Sequence, residues 1–129
     1  MKRTLIIGTA PIDERSLIAE RNHSNAMGAA LTFSGIVRAQ EGDTIIKGID
    51  YESFDEMAKH QFELIFDQMA ERWPIESVKV FHRTGKVAVG DPSLFVEIIS
   101  THRGESFEAC QFLINEMKKK VTIWKRPYH

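Results

Sequence analysis

Residues 100–126 of the chain read STHRGESFEACQFLINEMKKKVTIWKR, a stretch that combines a helical pattern with a cluster of positive charge. On an ideal helix, which turns about 100° per residue, its apolar side chains fall on one arc of roughly 120°. The residues on this arc are Phe107, Cys110, Leu113, Ile114, Met117 and Val121. The pattern predicts a helix that packs against a core, followed by a short strand ending at Trp124-Lys125-Arg126. Because Cys110 lies on the arc, we interpret it as core filler rather than as a reactive thiol.

The three consecutive lysines at the end of this helix differ in their position relative to the apolar arc. Lys118 and Lys120 each lie about 20° beyond one edge of the arc, whereas Lys119 points to the opposite, solvated side. Burial disfavours the charged form of a lysine and lowers its pKa, so Lys118 and Lys120 are both candidates for proton transfer. The alternative is a solvated helix end, where the helix dipole favours cations. The helical pattern leaves both interpretations open.

Composition and charge limit the classes of protein and ligand. A chain of 129 residues suits one domain with one core, which we predict to span residues 1–129. The 17 Lys and Arg residues against 18 Asp and Glu residues give a net charge of −1, so overall charge offers no support for a nucleic-acid or membrane partner. The positive charge is local, because five of the nine residues that follow Met117 are Lys or Arg. This distribution favours a small anionic ligand.

Cysteine content and hydropathy indicate the cellular compartment. A single cysteine excludes an internal disulfide bond and fits a reducing compartment. The longest apolar runs are too short to span a bilayer, and the N-terminal apolar segment Leu5-Ile6-Ile7 is too short for an export signal. We therefore expect the protein in the cytoplasm.

The rest of the chain alternates between short strands and two further helices. Asp13 predicts the start of a short helix, and Ser53-x-x-Glu56 has the spacing of a capping box ahead of a long amphipathic helix that Pro74 ends. Gly35 inside a strand predicts a bulge or a close approach of another group to the backbone. Strands are predicted at 4–9, 31–37, 44–51, 77–83, 87–89 and 93–100, and after the last helix. This order predicts an α+β domain with a mixed, largely antiparallel sheet and helices packed against it.

The candidate functional residues are cationic. The sequence has no Gly-rich phosphate-binding loop, no Cys/His spacing for zinc and no Gly-x-Ser-x-Gly elbow. Arg38 ends a strand beside a polar loop and is either a surface charge or an anion clamp. His102 and Arg103 lie just ahead of the last helix, where free backbone N–H groups favour an anion. The cations at or near the ends of elements are Arg38, His102, Arg103, Lys118, Lys125 and Arg126.

Five segments of the chain form an ordered set of motifs: FSGIVR (33–38), YESF (51–54), VFHRTGKVAVGD (80–91), STHRGESFEACQF (100–112) and K-x5-WKR (118–126). Together they resemble one protein family, the large, catalytic subunit of molybdopterin synthase. The resemblance implies an α/β hammerhead fold with an added antiparallel β region. It also implies a homodimer that binds a small ubiquitin-like sulfur-carrier subunit at each end, giving a heterotetramer.

The chemistry that the resemblance implies is sulfur transfer. The carrier subunit of this family ends in Gly-Gly with a C-terminal thiocarboxylate, and its tail inserts into a pocket of the large subunit. Two carriers deliver two sulfur atoms to cyclic pyranopterin monophosphate and make the dithiolene of molybdopterin. Molybdenum enters later, so the resemblance implies neither a metal site nor a cofactor in this chain.

The resemblance assigns roles to six residues. Lys118 and Lys125 match the catalytic lysines of the family, and the spacing to Trp124-Lys125 selects Lys118 over Lys120. Arg38, His102 and Arg103 match the substrate and phosphate pocket, and Arg126 lies beside it. We expect Lys118 closest to the incoming glycine carbonyl. We expect Lys125 to act as the second acid/base or to orient the pterin, with both lysine pKa values lowered by a cationic, partly buried site.

Three points remain beside this assignment. His82 and Arg83 belong to a family motif without an evident chemical role, and we expect His82 to be hydrogen-bonded under the sheet. Family members usually continue past the WKR motif, whereas this sequence stops at Pro127-Tyr128-His129; if the protein ends there, we expect the pocket to lack one cation. The alternatives to the enzyme are a non-enzymatic dimeric α+β module that binds a small phosphorylated metabolite, and a degenerate paralogue that docks a carrier without turning it over.

Overall fold

The computed structural model describes residues Met1 to His129. Its larger sheet contains β1 (Lys2–Gly8), β6 (Ile75–Arg83), β8 (Pro92–Ser100) and β2 (Ala29–Ile36), in that order across the sheet. Only β1 and β6 pair in parallel, and the other two pairs are antiparallel. The predicted mixed, largely antiparallel sheet is confirmed. The apolar strand β8 lies inside the sheet, as its buried run of side chains predicts.

Two long helices cover one face of this sheet and form the main core with it. They are α2 (Asp55–Arg72) and α3 (Arg103–Lys120). The core residues that they supply are Phe62, Ile65, Phe66, Met69, Ala109, Cys110, Leu113 and Met117. The apolar arc of α3 therefore faces the core as predicted, except that Phe107 is 59% exposed at the edge of the sheet beside β2. Neither helix is long and apolar enough to cross a membrane.

A second, three-stranded sheet stands beside the first. Its central strand is β5 (Gly48–Ser53), which pairs antiparallel with β7 (Gly85–Ala88) and with β9 (Ile123–Tyr128). The short strands β3 (Gln40–Glu41) and β4 (Thr44–Ile45) form a hairpin next to it. A small core belongs to this region: Val37, Ile46, Ile49, Tyr51 and Val87. This is the added antiparallel region that the family resemblance implies.

The local details confirm some expectations and correct others. The strand expected at 44–51 is divided into β4 and β5, because the two halves pair with different strands: β4 pairs with β3, and β5 pairs with β7 and β9. The Ile46 N–H continues the β3–β4 register and donates to Ala39 O at 2.8 Å. The Ser53–Glu56 capping box is wrong. Ser53 stays in β5, paired with Ile123, and its hydroxyl donates to Asp55 Oδ1 at 2.6 Å. The N-cap of α2 is Phe54, which makes no side-chain cap hydrogen bond.

The start of the first helix and the glycine in β2 agree with the sequence. α1 (Glu14–Ala19) begins after Asp13, whose carboxylate accepts hydrogen bonds from the Ser16 hydroxyl at 2.8 Å and the Ser16 N–H at 3.2 Å. These hydrogen bonds lower the pKa of Asp13. The register of β2 shifts between Gly35 and Ile36, and a Cβ at Gly35 would lie 3.3 Å from Leu94 Cβ. Gly35 thus provides both the bulge and the close approach.

Candidate functional site

A cleft of about 240 Å³ lies between the two sheets and the end of α3. Hydrophobic side chains from β2, β5, β8 and α3 form part of its wall. The polar and charged residues that line it are Arg38, Glu41, Tyr51, His82, Ser93, Lys118 and Lys125. Three of the six predicted site residues, Arg38, Lys118 and Lys125, are therefore brought together in one place.

Lys118 reaches the cleft from the last turn of α3, where its neighbour Met117 is buried in the main core. The helix ends at Lys120, and the Val121 N–H still donates to Met117 O at 3.0 Å. Next in the chain, the Thr122 N–H donates to Gln61 Oε1 on α2 at 2.9 Å. This hydrogen bond fixes the point at which the chain leaves the helix and turns into β9.

Lys125 reaches the cleft from β9, across the cleft from the helix. In the antiparallel pair of β5 and β9, Lys125 lies directly opposite Tyr51, so both side chains point to the same face of the smaller sheet. Ile123 shares that face because side chains alternate along a strand. This register directs Lys125 into the cleft.

Arg126 follows Lys125 and therefore points to the other face of the smaller sheet. Its guanidinium Nη2 donates to Glu52 Oε2 at 2.9 Å, and both side chains are largely exposed. The guanidinium does not line the cleft.

The lysines beside Lys118 are separated from it by their directions. Lys120 Nζ lies 3.2 Å from Glu116 Oε2 and lines a different surface cleft, against α2. Lys119 is exposed and lines neither cleft. Of the two lysines that the helical wheel left equivalent, only Lys118 faces the cleft that contains Lys125 and Arg38.

The three cations at the cleft are exposed in the isolated chain, which differs from the partly buried site expected from the sequence. The helical pattern placed Lys118 at the border of the apolar arc, and the border of α3 here opens to solvent rather than to protein.

The inner end of the cleft is polar but carries no formal charge. Tyr51 Oη donates to Ser93 Oγ at 3.1 Å, and Ser93 Oγ donates to Gly35 O at 3.4 Å. The edge of the Tyr51 ring meets the His82 ring at a centroid distance of 5.4 Å. Burial lowers the pKa of His82, and the Lys125 charge lowers it further, against an opposing effect of the hydrogen bond to Arg83 O. His82 is therefore a neutral imidazole.

Sequence reasoning did not place Tyr51, Ser93 or His82 in the site. The expectation that His82 is hydrogen-bonded under the sheet agrees with the structure, since it is only 8% exposed. The alternation of β6 contained a usable signal, because His82 falls on the same side as the buried Val78 and Val80. Its position at the end of that strand brings it to the cleft.

His102 and Arg103 lie far from this cleft within one chain. Both sit at the first turn of α3, and a helix of 18 residues is about 27 Å long, which separates them from Lys118 at its other end. His102 N–H donates to Glu105 Oε2 at 3.4 Å, and its side chain is 78% exposed. These two residues form a separate, solvent-facing cationic end of the helix.

A groove continues from the cleft along the outer edge of the larger sheet. It lies between β2 and α3, and it shares Phe33, Ile114 and Lys118 with the cleft. β2 pairs only with β8, so its other edge carries free backbone N–H and C=O groups. Phe33 and Phe107 expose 39% and 59% of their surface here. An extended peptide could pair with such an edge and reach Lys118.

The chemistry of the cleft is that of an anion-binding site. Arg38, Lys118 and Lys125 face a single carboxylate, Glu41. No group of three or more His, Cys, Asp and Glu side chains is arranged to hold a metal ion. Guanidinium and ammonium groups bind phosphate and carboxylate-like anions, and an ammonium group can donate a proton to a developing oxyanion.

Comparison with known proteins identifies the family. Residues 7–120 match the family model described as MoaE protein. The molybdopterin synthase catalytic subunit of Pyrococcus abyssi is 36% identical over 103 residues, covering 80% of this chain and 70% of the relative. The crystal structure of Staphylococcus aureus molybdopterin synthase superposes with a TM-score of 0.86 at 26% identity, covering 95% of this chain and 88% of that one.

A third similarity is to a complex. The solved complex of subunits 1 and 2 of the Helicobacter pylori molybdopterin-converting factor matches with a TM-score of 0.78 at 25% identity, covering 97% of this chain and 83% of that one. The chain therefore belongs to the MoaE family of molybdopterin synthase catalytic subunits. The resemblance found in the sequence, the α+β fold class and the prediction of a sulfurtransferase of molybdenum cofactor biosynthesis are confirmed.

Proposed function

We propose that this chain, a single domain over residues 1–129, transfers sulfur from the thiocarboxylate of a small ubiquitin-like carrier subunit to cyclic pyranopterin monophosphate, in the cleft that holds Arg38, Lys118 and Lys125. One observation carries the proposal: the three cations, from α3, β9 and the segment after β2, converge on one cleft. The inner end of this cleft, its floor, is formed by Tyr51, Ser93 and His82 and is polar but uncharged. A thiocarboxylate and a cyclic phosphate are both anions. Three cations facing one carboxylate favour their simultaneous binding.

Arg38 is the residue suited to the phosphate. It lies two residues after the end of β2 and lines the cleft, and its side chain makes no hydrogen bond or ion pair within the chain. A planar guanidinium can donate two parallel hydrogen bonds to phosphate oxygens, which an ammonium group cannot do. Of the two readings that its position in the sequence leaves open, the free side chain at the cleft favours the anion clamp.

Lys118 is suited to the acyl group of the carrier. The thiocarboxylate sulfur attacks a carbon of the substrate and replaces the oxygen bound there, which departs either as the phosphate ester oxygen when the cyclic phosphate opens or as water from a carbonyl. Water then attacks the acyl carbon and the acyl carbon–sulfur bond breaks, so that the carrier leaves as a carboxylate and the sulfur stays on the substrate as a thiolate. Negative charge develops on the acyl oxygen during this cleavage, and an ammonium group beside it stabilises that charge. Lys118 lies where the β2–α3 groove enters the cleft.

Lys125 faces Lys118 from the opposite wall and is suited to the pterin. It serves as the second acid/base or as the charge that orients the ring, and its fixed strand register limits where the ammonium can lie. Both lysines are exposed in the isolated chain. Insertion of the carrier tail would exclude water from the cleft and strengthen the interactions of both ammonium groups with the reacting atoms, which links the chemistry to carrier docking.

The β2–α3 groove is suited to the carrier tail. A Gly-Gly end has no side chains to obstruct it, so its backbone can lie along the free edge of β2 with the terminal carbonyl at Lys118. The solved complex of the two Helicobacter pylori subunits, to which this chain is similar, supports a small-subunit partner.

A second copy of the chain is suited to complete the site. His102 and Arg103 match the substrate pocket by resemblance, but they lie at the other end of α3 from Lys118. In a homodimer within a heterotetramer, the cationic end of α3 from one copy can face the cleft of the other. Arg126 is paired with Glu52 on the outer face of the smaller sheet, so it would border the pocket rather than enter it.

The test is reconstitution with thiocarboxylated carrier and cyclic pyranopterin monophosphate, with dithiolene product as the readout. Lys118→Ala should abolish sulfur transfer, because it removes the ammonium group beside the acyl oxygen, while the fold and carrier binding persist. Lys119→Ala removes an equal charge from the same helix end outside the cleft and should keep normal turnover. Turnover by the Lys118→Ala protein would contradict the assignment, and absence of product from the unaltered protein would contradict the function.

Mixed dimers test the contribution of the second copy. Lys118→Ala and Arg103→Ala proteins should each be inactive or strongly impaired as homodimers. A dimer with one chain of each kind has one site in which Lys118 and Arg103 are both intact, if they come from different copies, and should regain activity. No recovery on mixing, with heterodimer formation shown by mass, would contradict the contribution of Arg103 from the second copy.

A further inference from the structure

His82 is a buried titratable residue at the cleft that the proposed chemistry does not use. It lies near the end of β6, is 8% exposed, and contacts the edge of the Tyr51 ring. Among the residues that line the cleft, it supplies the one imidazole. A purely structural histidine needs only its hydrogen bond to the backbone. A further role would therefore depend on the second ring nitrogen, Nε2.

The hydrogen bonds of His82 determine its tautomer. Nδ1 lies 2.8 Å from Arg83 O, and because a carbonyl oxygen can only accept, Nδ1 carries the hydrogen. In the neutral ring, Nε2 then has a free lone pair and acts as an acceptor. Nε2 has no hydrogen-bond partner within the chain and is not enclosed by protein atoms. His82 therefore offers the cleft one unsatisfied acceptor.

The charges around the ring favour a neutral acceptor. The Tyr51 phenol from β5 and four charged groups share the cleft with it. The three cations and one carboxylate are Lys125 from β9, Lys118 from α3, and Arg38 and Glu41 from the segment after β2. A protonated His82 would add a fourth positive charge to this set. Burial opposes the charged ring first, and the Lys125 charge opposes it next. A neutral Nε2 is instead attractive to an ammonium group.

We propose that His82 is a positioning residue: the Lys125 side chain, which is exposed and has no hydrogen-bond partner in this structure, turns toward the ring, and its ammonium donates a hydrogen bond to Nε2 that holds it at the inner end of the cleft. No proton is transferred: the Nδ1–H···O=C bond to Arg83 fixes the ring, and the fixed ring fixes the lysine. The proposal rests on the proposed function of Lys125 and adds to it a reason why an exposed lysine on a strand would point in one direction. Protonation of His82 would release Lys125.

Two substitutions separate this role from a structural one. The amide of asparagine can replace the Nδ1–H donor to Arg83 O but lacks the distal acceptor, whereas the longer glutamine amide can place an oxygen near the position of Nε2. We expect His82→Asn to lower kcat about 10- to 100-fold with little change in the KM for the pterin, the loss typical of a hydrogen bond to a charged group. We expect His82→Gln to retain most of the activity. If asparagine preserves activity and glutamine does not, the role is structural and the proposal fails.

A spectroscopic measurement tests the contact without any turnover. In ¹⁵N-detected NMR titrations, the pKa of His82 should rise when Lys125→Met removes the charge and the donor. Lys119→Met should leave the titration unchanged. Equal His82 titration in the unaltered and Lys125→Met proteins would overturn the proposal, even if both His82 variants fail to fold. If reconstitution gives no product but Lys125→Met still raises the pKa of His82, the result counts against the proposed function alone.

Discussion

The two cores of the molecule differ in size, and the elements that pack on each of them supply one of the two candidate catalytic lysines. The larger sheet and its two helices enclose 14 buried core residues, whereas the smaller sheet has a core of five. Lys118 extends from the helix of the large core, and Lys125 extends from a strand of the small one. The difference indicates that the two regions have different roles. We expect the large core to provide most of the folding free energy, and the small sheet to set the position of one reacting group.

The largest expected effect separates the two cores by stability. Phe66 is fully buried in the large core and does not line the cleft. Phe66→Ala should lower the free energy of unfolding by about 3–5 kcal/mol, because it removes a large buried ring and leaves a cavity. Chemical denaturation measures this loss. Below its melting temperature, the variant should retain sulfur transfer, since the cleft residues are unchanged.

Ile49 is the matched position in the small core, and it also lines the cleft. Ile49→Ala should cost about 2–3 kcal/mol, and amide hydrogen exchange should accelerate in β5 and β9 more than in α2. Activity should fall even at temperatures where the protein is folded, because the strand that carries Lys125 is loosened. Uniformly faster exchange in all elements of the Ile49→Ala protein would show that the two cores unfold as one unit, and the expectation of different roles would be wrong.

A smaller effect is expected where the two regions are joined. Gln61→Leu removes the side-chain acceptor of the Thr122 N–H and should cost about 1–2 kcal/mol, since a partly buried donor loses its partner. The value of kcat should also fall, because the exit from α3 toward β9 is no longer fixed. Gln68→Leu is the control, because Gln68 lies on the same face of α2 as Gln61, is partly buried and makes no side-chain hydrogen bond. Equal kcat in both variants would show that this hydrogen bond does not influence the position of Lys125.

The large core was predictable from sequence because its signal is local. The apolar periods of α2 and α3 and the buried run of β8 fix which side chains face inward, and the structure places Phe66, Leu113 and Val96 accordingly. The small sheet was harder to predict. β5 and β9 are far apart in sequence, and periodicity indicates the faces of a strand but not its partner. The division of 44–51 into β4 and β5 depends on backbone contacts that composition does not encode.

The candidate site was also predictable only in part. Arg38, Lys118 and Lys125 were named from the sequence and share one cleft, whereas the floor formed by Tyr51, Ser93 and His82 was not foreseen. These floor residues come from three strands whose pairing sequence patterns do not determine. The separation of His102 from Lys118 follows from the length of α3 and could have been calculated from the predicted helix alone. A family resemblance names the residues of a pocket without stating which copy provides each.

The segment that joins α3 to β9 sets a parity rule for changes in chain length. Side chains of β9 alternate between the cleft and the outer face, so deletion or insertion of one residue between Lys118 and Lys125 would turn the lysine outward and bring Trp124 or Arg126 into its place. A change of two residues would restore the direction but displace the amine along the strand by nearly 7 Å, an order set by the rise of about 3.3 Å per residue. The interval K-x5-WK thus fixes the direction and spacing of Lys125 relative to Lys118. Active proteins of this architecture should therefore accept substitutions within the interval far more readily than insertions or deletions of residues.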